Sequence, residues 1–293
     1  METILVPTDF SPAAKNAEQY ALRFAKAIKA NLKLCNAMKV PAEAPMAGQV
    51  IWPLIDFKMV KEETTKDLKA LVETLTQEEK ELNIKGAFHP KIDSYYQVGT
   101  VTDMVKELVD EKKLTMVVMG MSGAGELSRL FLGSTSRDMI EQAEVPVLLI
   151  PAQHLYRPIS KMAIATDLSE KDINTIHSMA GLARAFCAEL LIVHVTDEDF
   201  DYDLHKGKIQ EFLREITCKI NYHKIYYRQI KNVDVNSGLE WLSENGQIEI
   251  LAMVHHKQNL IVRMFEHSYT RSLAKHIQIP LLVFPDNYQS FAF

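Results

Sequence analysis

Ile4-Leu5-Val6-Pro7-Thr8-Asp9-Phe10-Ser11 decides the fold, because the chain writes it a second time as Ala163-Ile164-Ala165-Thr166-Asp167-Leu168-Ser169. Asp9 falls on Asp167 at an offset of 158 (167 − 9), and the same offset lays Leu34-Cys35-Asn36-Ala37 over Ile192-Val193-His194-Val195. Near the other end, Val145-Pro146-Val147-Leu148-Leu149-Ile150-Pro151 returns as Ile279-Pro280-Leu281-Leu282-Val283-Phe284-Pro285 at an offset of 134 (279 − 145), which also superposes Arg129 on Arg263 and Ser134 on Ser268. A repeat of this length is a whole domain rather than a short solenoid unit. The offsets differ by 24 residues (158 − 134), an excess in the first copy between its second and third strands, and the Pro-containing segment 40–57 is its expected seat.

Within each copy, short apolar runs alternate with longer stretches of helical period, the rhythm of a parallel sheet covered by helices. The first copy predicts strands at Ile4 to Pro7, Leu32 to Ala37, Ala87 to Tyr96, Met116 to Met121 and Val145 to Ile150. The second predicts them at Met162 to Thr166, Glu189 to Val195, His223 to Ile230, Ile248 to Met253 and Pro280 to Phe284. Ser11 is an N-cap residue and Pro12 suits the first helical position. Ala17, Tyr20, Ala21, Phe24, Ala25 and Ile28 then keep one helix face apolar. Thr100-Val101-Thr102-Asp103 approaches a capping box and turns Met104, Val105, Leu108 and Val109 inward. The fold class is α/β: two doubly wound, five-stranded parallel-sheet domains, 1–153 and 158–285, joined by a short linker and followed by a tail at 286–293. The terminal strands Val145 to Ile150 and Leu281 to Phe284 are expected to form the contact between the domains.

Composition sets the outer bounds. Of 293 residues 47% are hydrophobic and 24% charged, with 33 basic against 38 acidic side chains and a net charge of −5. No run of one sign appears, which argues against a nucleic-acid surface. No apolar segment approaches the ~20 residues that cross a bilayer, and Met1-Glu2-Thr3 has no signal-peptide pattern, so a cytoplasmic location without membrane contact is expected. Cys35, Cys187 and Cys218 lack metal-ligand or CxxC spacing and are expected to be buried thiols in a reducing compartment. The charged stretch from Lys61 to Glu81 reads as a solvated helix face. The pairs Tyr95-Tyr96 and Tyr226-Tyr227 read as packing or subunit-edge residues in the third strands. No GxSxG, HExxH or CxxC motif is present.

The 11 glycines are few, and four of them, Gly120, Gly123, Gly125 and Gly133, fall within fourteen residues after the fourth strand. Glycine lets the backbone turn through positive φ and come close to a ligand. The N–H groups and hydroxyls of Gly133-Ser134-Thr135-Ser136, at a helix amino terminus, would face an anion. This combination suits a polyphosphate. In an open parallel sheet, ligands sit at the carboxyl ends of the strands where the winding reverses, and the first and fourth strands are expected to flank that point, ending in Asp9 and Gly120.

Pro7-Thr8-Asp9-Phe10-Ser11 after the first strand, with Gly120-x-x-Gly123, nine residues and Gly133-Ser134 after the fourth, resembles a tandem member of the universal stress protein family. The resemblance implies an adenine nucleotide alpha hydrolase-like fold and an adenine nucleotide, ATP or AMP, held in the first copy, with Mg2+ as an optional companion. It implies that Asp9 meets the adenine edge, Ala37 lines the base or ribose pocket, and Pro7 and Thr8 add backbone contacts. It assigns ribose and phosphates to Met119, Gly120, Gly123, Gly133, Ser134, Thr135 and Ser136. The chain departs from the family pattern at Asn36, where His is common, and at Thr115, where Asp is usual.

The second copy replaces Gly120, Gly123 and Gly133 by Val254, Lys257 and His267. Side chains at these positions disfavour the turns and the close approach that phosphates need, so this copy is expected not to hold ATP in the family manner. Its cleft reads as a degenerate domain retained for packing. The alternative is a metal or small-anion site from Asp167, His194, His255 or His256, and His267. The resemblance implies a nucleotide-dependent regulator of stress adaptation rather than an enzyme, with at most slow ATP hydrolysis. It further implies a regulatory protein partner and an internal pseudo-dimer that can itself pair as a homodimer. A nucleotide-free interaction scaffold is the competing reading.

Overall fold

The computed structural model describes residues 2–38, 57–82, 87–110, 114–121, 134–196, 202–255, 277–286 and 288. The first half runs β1 (Thr3–Pro7), α1 (Pro12–Ile28), β2 (Asn31–Met38), α2 (Phe57–Glu81), β3 (Ile92–Val98), α3 (Val101–Asp110), β4 (Met116–Met121), α4 (Ser134–Gln142) and β5 (Val147–Pro151). The second half runs β6 (Lys161–Ala165), α5 (Asp172–Phe186), β7 (Glu189–Thr196), α6 (Tyr202–Lys219), β8 (Ile225–Lys231), α7 (Val235–Asn245), β9 (Ile250–His255) and β10 (Leu281–Pro285).

Among the described residues all strands lie in one ten-stranded sheet, in the order β3-β2-β1-β4-β5-β10-β9-β6-β7-β8. Each half is parallel within itself and shows the same order of winding. The halves join where β5 and β10 pair antiparallel, Leu149 opposite Leu281 and Val147 opposite Val283. The expected contact between terminal strands is therefore a continuous hydrogen-bonded seam, and it fuses two five-stranded sheets into one.

Alternation along the strands feeds two apolar layers. One holds Ile4, Val6, Val118, Ile164 and Ile192 together with Ala17 and Phe24 of α1, Leu68 and Leu75 of α2, Ile176 of α5 and Ile209 of α6. The other holds Leu5, Val117, Met119, Val193 and Met253 together with Met104 of α3, Met139 of α4 and Leu239 of α7. The first layer is continuous across the halves: Phe24 and Phe186 rings stand 5.1 Å apart, as do Tyr20 and Tyr156. The connecting segment is tied down on both sides. Asn16 Nδ2 donates to the carbonyls of Pro151 (3.1 Å) and His154 (2.9 Å), and His154 Nδ1 lies 2.8 Å from the Gln278 carbonyl.

The caps follow the sequence. Ser11 accepts from the Ala14 N–H (3.2 Å) with Pro12 in the first turn, and Thr100 Oγ1 accepts from the Asp103 N–H (3.1 Å). Several strands start later than expected: β3 at Ile92, beyond Pro90, and β5 at Val147, after Pro146, where proline gives the ladder no N–H, and β8 and β9 at Ile225 and Ile250, two residues late without a proline. The length excess of the first half is shared, since α2 has 25 residues against 18 in α6. The rest of segment 40–57 lies outside the described residues, as does most of the tail.

Two expectations about side chains need correction. Only Cys35 is a buried thiol; Cys187, in the left-handed turn that ends α5, and Cys218 on α6 are exposed. The α2 face is not uniformly solvated, because Glu79 is buried and paired with Lys26 and His89. Tyr95-Tyr96 and Tyr226-Tyr227 lie on β3 and β8, the two edges of the sheet. No helix among the described residues is long and apolar enough to cross a membrane.

Candidate functional site

β1 and β4 are neighbours, and winding reverses between them: β1, β2 and β3 progress one way, and the chain then returns past β1 to β4. The crevice at their carboxyl ends is the position at which open α/β sheets hold ligands. Leu5 pairs with Val117, so two residues on, Pro7 stands level with Met119. Ala37, near the end of β2, completes a row of three adjacent strand ends. Pro7, Thr8, Asp9, Ala37, Met119 and Gly120 are thus brought together.

The turn after β1 is held by its own hydrogen bonds. The Thr8 N–H donates to the Cys35 carbonyl (2.8 Å), extending the ladder one residue beyond the strand. Thr8 Oγ1 accepts from the Phe10 N–H (2.9 Å), and Asp9 Oδ1 accepts from the Ser11 N–H (3.0 Å). Asn36 Nδ2 donates to the Thr8 carbonyl (2.8 Å), which gives this departure from the family pattern a structural task. Phe10 takes φ 61, a left-handed conformation disfavoured for a side chain of its size. The second half repeats the turn: Thr166 N–H to the Val193 carbonyl (2.9 Å), Leu168 N–H to Thr166 Oγ1 (3.0 Å), Ser169 N–H to Asp167 Oδ1 (2.9 Å), and Leu168 at φ 64.

Gly120 is required for space rather than for conformational freedom, and this corrects the sequence-based reason for it. A Cβ at this position would lie 2.4 Å from the Ala13 carbonyl oxygen and 3.1 Å from the Ala14 nitrogen, so the missing side chain lets the first turn of α1 rest against β4. At the start of α4, Ser134 is exposed, Thr135 half-buried and Ser136 buried. Gly123 and Gly133, the other defining glycines of the motif, lie outside the described residues.

The second half has adapted to its larger residues. With Val254 in place of Gly120, α5 starts at Asp172, two residues later than the offset of 158 from Pro12 would put it (12 + 158 = 170), and its N-cap position makes no side-chain capping bond. With Val195 in place of Ala37, the facing helix has exchanged Met104 for Gly238, whose Cβ would fall 2.4 Å from Val195 Cγ1. What remains is a cavity of about 90 Å³, lined by Ala165, Val195, Leu239, Met253 and Val254 with Thr166, Asp167, Asp172 and His194. Burial, with Lys208 nearby, lowers the His194 pKa.

Of the alternative metal set, the described histidines His194 and His255 do not share a face of the sheet. His194 falls in step with Leu190 and Ile192, whereas His255 falls in step with Leu251 and Met253 on the opposite face of the sheet. His256, Lys257, His267 and Ser268 lie outside the described residues. Among the described residues no group of three or more His, Cys, Asp or Glu comes together as a metal-binding set.

One pair of residues was not anticipated. Glu18 and Asp172 are buried carboxylates, 2% and 1% exposed, beneath the two Thr-Asp turns. Burial raises the Glu18 pKa against the opposing effect of its hydrogen bond with Thr8. The available signal was a single charge within the apolar stripe of α1, flanked by Ala14, Ala17, Ala21 and Leu22.

The family model for the universal stress protein family matches residues 1–151. A universal stress protein of Methanocaldococcus jannaschii is 28% identical over 147 residues, covering 50% of this chain and 80% of that protein. One of Thermus aquaticus is 27% identical over 149 residues, covering 51% and 98%. The crystal structure of a universal stress protein from Archaeoglobus fulgidus superposes with a TM-score of 0.71 at 16% identity, over 97% of this chain and 98% of that one, so the likeness of fold spans both halves. With its duplicated strand order and the family match over its first half, the chain belongs to the universal stress protein family.

Proposed function

We propose that the first half binds an adenine nucleotide, ATP or AMP, and that the protein acts as a nucleotide-dependent regulator in stress adaptation. One observation carries this reading: Pro7-Thr8-Asp9, Ala37 and Met119-Gly120 converge at the winding reversal, and the spacing Gly120-x-x-Gly123-x9-Gly133-Ser134 leads from there to the amino terminus of α4. In this reading the base lies near Asp9 and Ala37, and the phosphates meet the backbone of Gly123 and Gly133 and the groups of Ser134, Thr135 and Ser136. Mg2+ would accompany the phosphates. The half-domains correspond to 1–153 and 158–285.

The second half serves as a packing partner. Its cavity of about 90 Å³ is well below the roughly 300–1,000 Å³ of sites that enclose ligands of drug size. Rapid phosphoryl transfer would require a placed base, and Asp9, the acid at the turn, already commits Oδ1 to the Ser11 N–H. Slow hydrolysis is the upper bound of this reading. Mass spectrometry of small molecules released from natively purified protein tests it. Co-purifying ATP or AMP in amounts approaching one per chain is expected; nucleotide-free protein that also takes up none on incubation with ATP would leave an interaction scaffold in its place.

A further inference from the structure

The pairing of β1 with β2 ends at Pro7 opposite Cys35, and at the next residue, Thr8, the chain leaves the sheet for the turn at the crevice. Thr8 is 5% exposed, so its backbone groups need partners within the protein. Its N–H donates to the Cys35 carbonyl (2.8 Å), and its Oγ1 accepts from the Phe10 N–H (2.9 Å). Its carbonyl accepts from Nδ2 of Asn36 (2.8 Å), a side chain of β2. Thr166 repeats the first two bonds in the second half. The third position differs, because the offset of 158 carries Asn36 onto His194.

Asn36 itself does not face the crevice. Alternation along β2 puts it in step with Leu34, in the layer of Ile4 and Val6, whereas Ala37 keeps step with Cys35 in the layer of Met119. Its reach into the site runs through one peptide unit. A trans peptide is planar, and its C=O and N–H point in opposite directions. The Thr8 carbonyl is drawn towards β2 by Asn36, so the N–H of Asp9, which belongs to the same peptide, points away from β2. The strand order β2-β1-β4 puts β4 on that side, and the crevice lies between the ends of β1 and β4.

We propose that Asn36 is a positioning residue of the first-half site: by holding the Thr8 carbonyl towards β2 it fixes the plane of the Thr8–Asp9 peptide, turns the Asp9 N–H towards the crevice, and so sets where Asp9 meets a ligand. What the position requires is a donor at the δ position of the side chain. Leucine has the shape of asparagine without that donor, and the imidazole of histidine, the residue of the second half, can supply one from Nδ1. The consequence for ligand affinity rests on the nucleotide reading above; the consequence for the turn does not.

The test uses the full chain with Asn36→Leu and Asn36→His, and reads amide hydrogen exchange and ATP titration side by side. A single hydrogen bond sets the scale of the effect, about three- to tenfold. Asn36→Leu should speed exchange at Thr8 and Phe10 by that factor, leave Val118 in the core unchanged, and weaken ATP binding to a similar degree. Asn36→His should return both readouts towards wild type, which a role in packing alone would not predict. Should Asn36→Leu unfold, Asn36→Ala removes the donor without added apolar bulk and must loosen Thr8 and Phe10 in the same way. Wild-type protection of Thr8 and Phe10 in the variant without a donor overturns the proposal. So does a loosened turn that binds ATP as tightly as wild type, or a folded Asn36→His that behaves as Asn36→Leu does. Wild-type protein that takes up no ATP refutes the nucleotide reading, while the exchange data still decide whether Asn36 holds the turn.

Discussion

Substituting Gly120 tests how tightly the crevice is built into the fold. An added Cβ would meet the Ala13 carbonyl oxygen at 2.4 Å and the Ala13 carbonyl carbon at 2.7 Å. Carbon and carbonyl oxygen ordinarily approach to about 3.3 Å, so α1 or β4 must retreat by roughly 0.9 Å. Both colliding partners are backbone, and no rotamer change relieves them. Overpacking of this kind costs about 1–3 kcal/mol. Moving the first turn also threatens the Ser11 to Ala14 capping bond, worth about 0.5–2 kcal/mol. Gly120→Ala should therefore lose about 2–4 kcal/mol in urea unfolding of the full chain, and Gly120→Val, the residue of the second half, at least as much. Gly207 in α6 is the control, since a Cβ there meets nothing within 4 Å and Gly207→Ala should gain up to about 1 kcal/mol. A Gly120→Ala midpoint matching wild type, with α1 intact, would refute the packing argument.

The exchanged pair in the second half is testable by a double-mutant cycle: Gly238→Ala should destabilise by about 1–3 kcal/mol, and Val195→Ala should remove most of that cost. Additive effects, measured by the same unfolding curves, would mean that the two positions are not coupled. Glu18 has a pH signature. Its folded pKa is raised above the ordinary 4.5, first by burial and also by the charges of Asp9 and Glu78, against Thr8 and Lys15. Such a group contributes stability that is fully present below the unfolded value and is lost as pH rises through the folded one. Wild type should therefore gain on Glu18→Gln as pH falls towards 4.5, and a stability difference between the two that is independent of pH would contradict this.

The duplication, the strand rhythm, the Ser11 cap and the seam between terminal strands were legible because each rests on periodicity or on local chemistry. The Thr-Asp turn was legible as a recurrence, although its left-handed Phe10 was not, since nothing in the residue type announces a strained φ. Three features escaped because they depend on elements brought together only in space. Gly120 answers to the backbone of α1, Gly238 to the side chain of Val195, and Glu18 is a charge whose burial no local pattern announces. A related limit applies to His194 and His255: both fall at the carboxyl edge of the sheet in the linear pattern, and strand alternation sends them to opposite faces.

In the proposed function one half of the duplicated fold holds the nucleotide and the other does not. Isothermal titration of the full chain with ATP distinguishes the halves, with Gly123→Val as the paired variant. The account predicts saturable binding at one ATP per chain in the wild type and none in Gly123→Val. Absence of heat in the wild type, two sites per chain, or undiminished binding in Gly123→Val would contradict it.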